Sequence, residues 1–319
     1  MAYNIEALPD YVQERRDEIL RKVVFGGKAI DRLSWMTDVK TSANINILST
    51  EVVFQDGESC GFTPQGDTVF NNRVVVTKPI KINQEYCAKD LLRAFTQYTV
   101  RIAADAEALP FEGYIMSEIA EKANKRLEEI LWTGDEGLGI NGVVKEYELA
   151  EQAYVTVSGS AYDKIMQVYN ALPVDILDKA VIFVGKDTYR AFIQDMVNKN
   201  FYHYDGGNAT DEFVLPATNV KVVAEAGLNG TGLIVGTDPK NLVYATDVTN
   251  ADEIVDVWYS KDDRTNKIAI EFNAGFQIAF PDLMKIGKVE DTSGSEPETP
   301  TEPETPSEGG DDNTTTEGE

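Results

Sequence analysis

Residues 253–288 carry three strand patterns, EIVDVWYS, KIAIEFNAGFQIAF and LMKIGKV, and no helix of their own. A sheet buries one face only against a second layer, so these strands need a helix from elsewhere in the chain. The candidate lies far upstream. In residues 88–132, Leu91, Leu92, Phe95, Ile102, Ala106 and Leu109 recur at helical spacing, and Ile115, Ile119, Ala123, Leu127, Ile130 and Leu131 resume the pattern. Pro110 and Gly113 interrupt it, and a kink or break is expected there. At 1.5 Å per residue this region spans about 65 Å if helical and straight. The sheet-forming end of the chain thus pairs with its middle, and the block at 154–245 becomes an insertion between two halves of another domain.

That block alternates helix and strand patterns. SAYDKIMQVYNAL and KDTYRAFIQDMVN read as helices. KAVIFV reads as a buried strand, and VKVVAEA and GLIVG as strands joined by the turn Leu228-Asn229-Gly230, with LVYATDV following. Asp262 to Asn266 reads as a hairpin turn. Upstream, residues 10–24 read as an amphipathic helix ended by Gly26-Gly27, and 28–50 as mixed and extended. Residues 51–86 have β-rich ends around a Gly/Pro/Asp-rich middle, with Val74, Val76, Ile80 and Ile82 alternating. This predicts a long β-hairpin arm. A lone two-stranded ribbon is marginal in water, so the arm is expected to lie on another subunit or domain.

Charge is uneven. The 319 residues hold 54 acids, 29 bases and one His, a net −25. Eleven of the acids and none of the bases fall in 290–319, so this tail carries −11 and the preceding residues −14. The tail has almost no apolar residues and a Pro at 297, 300, 303 and 306. It cannot bury area to offset chain entropy and is expected to be disordered and extended. The acidic balance excludes nucleic-acid binding through a basic face and disfavours anionic membranes. Cys60 and Cys87 are too few for a disulfide scaffold. No secretory h-region and no run of 18 apolar residues is present, which gives the expectation of a protein made in a reducing cytoplasm.

No chemical motif rises above background. Gly185-Lys186-Asp187-Thr188 follows a strand and opens a helix, but lacks the upstream Gly of a phosphate loop; a capped strand–helix junction is expected. Gly227, Gly230, Gly232 and Gly236 fall between two strands rather than before a helix, unlike a dinucleotide fingerprint. Asp205, Asn208, Asp211 and Glu212 miss the EF-hand spacing. His203 lies among aromatics with no nucleophile motif near it. Glu128-Glu129 and Asp135-Glu136 read as solvated charge at a helix end. The chain is expected to be no enzyme, with no catalytic residue, no cofactor and no metal.

The order of elements resembles the major capsid protein of tailed bacteriophages of the HK97-like fold. RVVVTKPIKINQEYCAKDLL resembles that family's hairpin return strand feeding a spine helix, and EIAEKANKRLEEILWTGDEGLGINGVV its helix end and Gly-rich turn. DKAVIFVGKDTYRAFIQDM and VKVVAEAGLNGTGLIVGTDPKNLVYATDV resemble the strand–helix unit and strand pair of its axial domain. The resemblance covers about residues 1–288 and implies an α+β fold. It divides the chain into an N-terminal arm at 1–50, an extended loop at 51–87, a peripheral domain at 88–153 and 246–289, and an axial domain at 154–245, followed by the acidic tail at 290–319. It implies a virion protein that assembles in the host bacterial cytoplasm, with itself as partner in hexamers and pentamers of an icosahedral head. It further implies a separate scaffolding protein, a portal and auxiliary head proteins, and enclosed double-stranded DNA held without sequence-specific binding.

Phe54, Phe62, Phe70 and Arg73 are the candidate subunit-interface residues on the extended loop. Lys78 and Lys81 lie near it, but no motif identifies a crosslinking triad, and none is predicted. The tail is expected on the outer surface, since packaged DNA would repel it. Two other functions fit the same sequence: an encapsulin-like nanocompartment shell, and a surface or adhesive module on an acidic stalk.

Overall fold

The computed structural model describes residues 7–56, 65–87, 89–90, 93–94, 111–200, 211–216, 218–248 and 255–289. Phe62, Cys60, His203, Asp205, Asn208, most of the helix expected before Pro110 and the acidic tail lie outside the described residues.

The chain opens with α1 (Ala7–Glu14) and α2 (Arg16–Phe25). The single helix expected over 10–24 is divided at Arg15, whose φ of −125° leaves the helical region. The two apolar stripes still merge: Leu8, Val12, Ile19, Leu20, Val23 and Val24 are all buried in one cluster with the long helix. Asn124 of that helix donates its Nδ2–H to the carbonyl of Lys22 at 2.6 Å. It thereby satisfies one of the carbonyls that the end of α2 leaves open.

After a 3₁₀ turn at Ile30–Arg32 come β1 (Ser34–Met36), β2 (Ser42–Thr50), β3 (Thr68–Val76) and β4 (Lys78–Cys87). β2 and β3 form an antiparallel hairpin running from Ser42 opposite Val76 to Thr50 opposite Thr68. Its outgoing strand therefore begins nine residues before the expected start at 51. Thr77 ends the hairpin. Its N–H donates to the carbonyl of Thr41 at 2.9 Å and its hydroxyl to that of Val39 at 3.2 Å. From there β4 turns into a different sheet.

The long helix α3 spans Phe111–Thr133; the break expected at Pro110 lies outside the described residues. A Gly-rich turn follows, with Gly134 at φ +79° and Gly139 at +65°. The chain then runs through α4 (Val143–Leu149), β5 (Val155–Val157), α5 (Ala161–Ala171), β6 (Val181–Gly185), α6 (Lys186–Asn198), β7 (Glu212–Val214), β8 (Lys221–Glu225), β9 (Ile234–Thr237), β10 (Leu242–Thr246), β11 (Val255–Ser260), β12 (Thr265–Ile278) and β13 (Lys285–Val289).

Two sheets organise these elements. In the first, β12 is the central strand. One edge pairs with β4 from Thr265–Cys87 to Ala274–Lys78, and the other pairs first with β11 and then with β10, which in turn pairs in parallel with β1. Ile268, Ile270, Phe272 and Ala274 alternate onto the buried face, where they join Ile115, Ile119, Leu127 and Ile130 of α3. This is the long-range pairing of sheet and helix expected from the sequence.

The second sheet runs β5-β13-β9-β6-β8-β7. All five residues of β6 are buried. Ile182 and Val184 face Ile165 and Val168 of α5 and Phe192 and Met196 of α6 in a separate core.

The structure corrects three expectations here. The strand LMKIGKV does not join the helix-backed sheet: as β13 it pairs with β9 and β5 of the second one. LVYATDV, read with the inserted block, is β10 and belongs to the first sheet. β8 and β9 do not form a hairpin, because β6 lies between them, parallel to β8 and antiparallel to β9. A strand's apolar pattern reports burial but not which sheet edge receives it, so local reading placed each strand with its sequence neighbours.

Candidate subunit interface

Among the described residues, the base of the β2–β3 hairpin is anchored to the body. Val75 is fully buried and packs with Val39 and Ala245, with Met36, Ala43 and Ile45 alongside. Gly275 of β12 lies against it so closely that a Cβ there would sit 2.3 Å from the carbonyl oxygen of Val76. Arg73 and Gln277 complete the joint. Arg73 Nη2–H donates to Gln277 Oε1 at 3.3 Å, and Gln277 Nε2–H donates to the carbonyl of Val74 at 3.0 Å.

The two faces of the ribbon differ. Ala43, Ile45 and Ile47 are half-buried on the face turned to the body. On the other face Leu48 stands opposite Phe70. Leu48 is 57% exposed and Phe70 79%, and Val74 and Val76 continue the same row with about half their surface in water. Phe54, just past the ladder, is 96% exposed. Fully burying such a side chain contributes about 1.5–3 kcal/mol, and the single subunit leaves the share of the exposed area unused. A cleft of about 660 Å³ runs beneath this row, between Leu48 and Phe70 on one side and Gln152, Phe280 and Asp282 on the other.

Of the candidates read from the sequence, Phe70 lies on this bare surface and Phe54 is exposed beyond the ladder, whereas Arg73 braces the hairpin to its own subunit. Sequence reading missed Leu48, Val74 and Val76 as surface residues. Their alternation was visible, but not which face the body would cover.

The other candidate sites are filled by the chain itself. At the start of α6 the backbone N–H of Lys186 donates to Asn229 Oδ1 at 2.7 Å, and Asp187 accepts from the N–H of Gly230 at 3.1 Å. The cap thus comes from the 228–231 turn. Asp135 accepts from the N–H groups of Gly137 and Leu138 and pairs with Arg126 at 2.5 Å. These contacts, the Leu138 N–H first, hold its carboxyl below the usual carboxylate range. Asp211 pairs with Lys28 at 2.6 Å and Glu212 with Arg32. Among the described residues no grouping of three His, Cys, Asp or Glu side chains could hold a metal ion, and no helix is long and apolar enough to cross a membrane.

Glu128 departs from its reading as a solvated residue. It is 8% exposed, and its Oε1 accepts from the N–H of Ala29 at 3.3 Å. Glu225, which the sequence marked only as the end of a strand, is 1% exposed with no hydrogen-bond partner on Oε1. Burial, and then the negative charge of Glu128, push its carboxyl up to about 8.

No protein-family model matches the chain, and no curated protein sequence does. Solved structures do. A structure from Gordonia phage Cozz superposes with a TM-score of 0.56 at 8% identity, over 82% of this chain and 85% of that one. The procapsid of satellite phage P4, determined with its size-determination protein, superposes at 0.55 and 10% identity, over 85% and 90%. The capsid of an empty GTA particle superposes at 0.53 and 13% identity, over 84% and 90%. At these identities the likeness is one of fold: the chain has the α+β HK97-like capsid fold.

Proposed function

We propose that the chain is the major capsid protein of a tailed bacteriophage, a subunit that assembles into hexamers and pentamers of a closed head. The observation that carries this reading is the bare apolar face of the hairpin at Leu48, Phe70, Val74 and Val76. Exposed apolar side chains on a two-stranded ribbon gain stability when a second copy covers them. Identical subunits in a ring supply that cover through heterologous contacts that close.

In this reading the hairpin at 42–76 is the extended loop, and the segment before it is the N-terminal arm. α3 with its sheet is the peripheral domain, and the six-stranded sheet with α5 and α6 is the axial domain. The enclosed DNA needs no basic wall, and a net −14 over residues 1–289 avoids adhesion during packaging. The tail at 290–319 belongs on the outer surface. A scaffolding protein, a portal and auxiliary head proteins are the further partners this reading calls for, and the assembled protein resides in the virion after assembly in the host cytoplasm.

Negative-stain microscopy of the expressed full chain, alone and in infected cells, tests the reading: closed shells containing DNA support it. Shells loaded with an enzyme cargo instead would identify an encapsulin-like compartment, and a monomer that binds glycan or protein would identify an adhesive module. Protease treatment of intact particles should remove the tail, and full protection would contradict its outer placement.

A further inference from the structure

Three parts of the chain meet around Glu225. It ends β8 in the second sheet and is 1% exposed, and its Oε1 lacks a hydrogen-bond partner. Glu128 of α3 comes from a second side and is engaged by Ala29 N–H of the 27–32 turn, the third part. A Cβ on Gly27 would lie 3.2 Å from Glu128 Oε1, so this turn is seated directly on that carboxyl. The turn carries two cations, Lys28 and Arg32, yet both are drawn outward onto Asp211 and Glu212. The groups acting on Glu225 are therefore Glu128 from α3, Lys28 and Arg32 from the turn, and Lys186 from the start of α6. The burial is costly for a charge and tolerable for a neutral carboxyl.

We propose that Glu225 triggers a proton-operated latch. With the carboxyl neutral, the 27–32 turn stays closed between α3 and the six-stranded sheet; with it ionised, Lys28 and Arg32 leave Asp211 and Glu212 for Glu225, and the turn loosens. In the proposed latch the two arrangements compete for the same two cations. The latch is a property of one subunit and does not depend on shell assembly.

The sign follows from linkage. A carboxyl raised to about 8 in the folded chain keeps a proton that the unfolded chain has released. Its stabilisation is fully present below the ordinary carboxylate range and is lost as pH rises through about 8. One retained proton corresponds to up to about tenfold in the unfolding equilibrium per pH unit.

The test is denaturant unfolding of the full chain from pH 5 to 9.5, wild type against Glu225→Gln, with hydrogen exchange of the 27–32 peptide corrected for intrinsic rate. The latch predicts that wild-type stability falls toward pH 8 by up to about tenfold per unit relative to the variant. It also predicts that the peptide loses protection above pH 8 only in the wild type. Parallel pH profiles, or the same loss of protection in both proteins, would overturn it. Should Glu225→Gln fail to fold, Glu128→Gln serves. It removes the like charge while retaining an acceptor for Ala29, so the wild-type transition must move to lower pH; an unmoved transition refutes the latch.

Discussion

Gly227 lies directly on the backbone of Glu128: a Cβ at Gly227 would sit 2.4 Å from the Glu128 carbonyl oxygen and 2.7 Å from Trp132 Cδ1. The second sheet thus meets the long helix α3 through bare backbone, with Trp132 fully buried against Phe183 at 5.1 Å between ring centres. Gly227→Ala forces these layers apart. Overpacking of this kind costs about 1–3 kcal/mol, measurable as a lower denaturation midpoint with an unchanged m-value.

Leu48 and Phe70 stand opposite one another on the uncovered face of the hairpin. Replacing both with Ser removes apolar surface that the isolated subunit leaves largely in water and one cross-strand pair, so subunit stability should fall by only about 1 kcal/mol. Assembly, followed by sedimentation or light scattering, should be abolished. A variant that assembles normally would show that this face carries no contact between subunits.

Asn229 caps a helix from outside it. Its Oδ1 receives the N–H of Lys186 at the start of α6, where Gly185 supplies no side chain of its own. Asn229→Ala should cost about 1 kcal/mol, as loss of a cap does. The loss should register as faster amide exchange at the first turn of α6.

Asn241 closes the far end of the first sheet. It accepts from the N–H of Phe280 at 2.6 Å and donates to the carbonyl of Phe280 at 2.8 Å, while only 6% exposed. Asn241→Ala removes both hydrogen bonds to the Phe280 backbone, each contributing about 0.5–1.5 kcal/mol net. Thermal unfolding should show a lowered midpoint for Asn241→Ala.

Much of the fold was readable because its periodicities are local. Ile115 through Leu131 announced α3, the alternation of Ile268, Ile270 and Phe272 announced β12, and the missing helix after 253 announced a pairing across the chain. Strand partners were not readable. β10 and β13 carry the same kind of apolar pattern, and only the tertiary packing sends Leu242–Thr246 to one sheet and Lys285–Val289 to the other. The start of the hairpin was missed because the pattern of SANINILST marks an extended segment but not its partner, which only the tertiary pairing of Ser42–Thr50 with Thr68–Val76 supplies. At the candidate interface Phe54 and Phe70 are exposed, and the inward turn of Arg73 depends on Gln277, which lies 204 residues away. Glu225 left no sequence signal, since a charged residue at a strand end is ordinarily solvated.

The central claim is that a neighbouring copy of this chain covers the hairpin. Cryo-electron microscopy of particles assembled from the full chain tests it most directly. The account predicts closed shells built from rings of five and six subunits, with the Leu48–Phe70 face of each hairpin buried on the adjacent subunit. A hairpin folded back on its own subunit within such shells, or a chain that remains monomeric with and without its scaffolding partner, would contradict it.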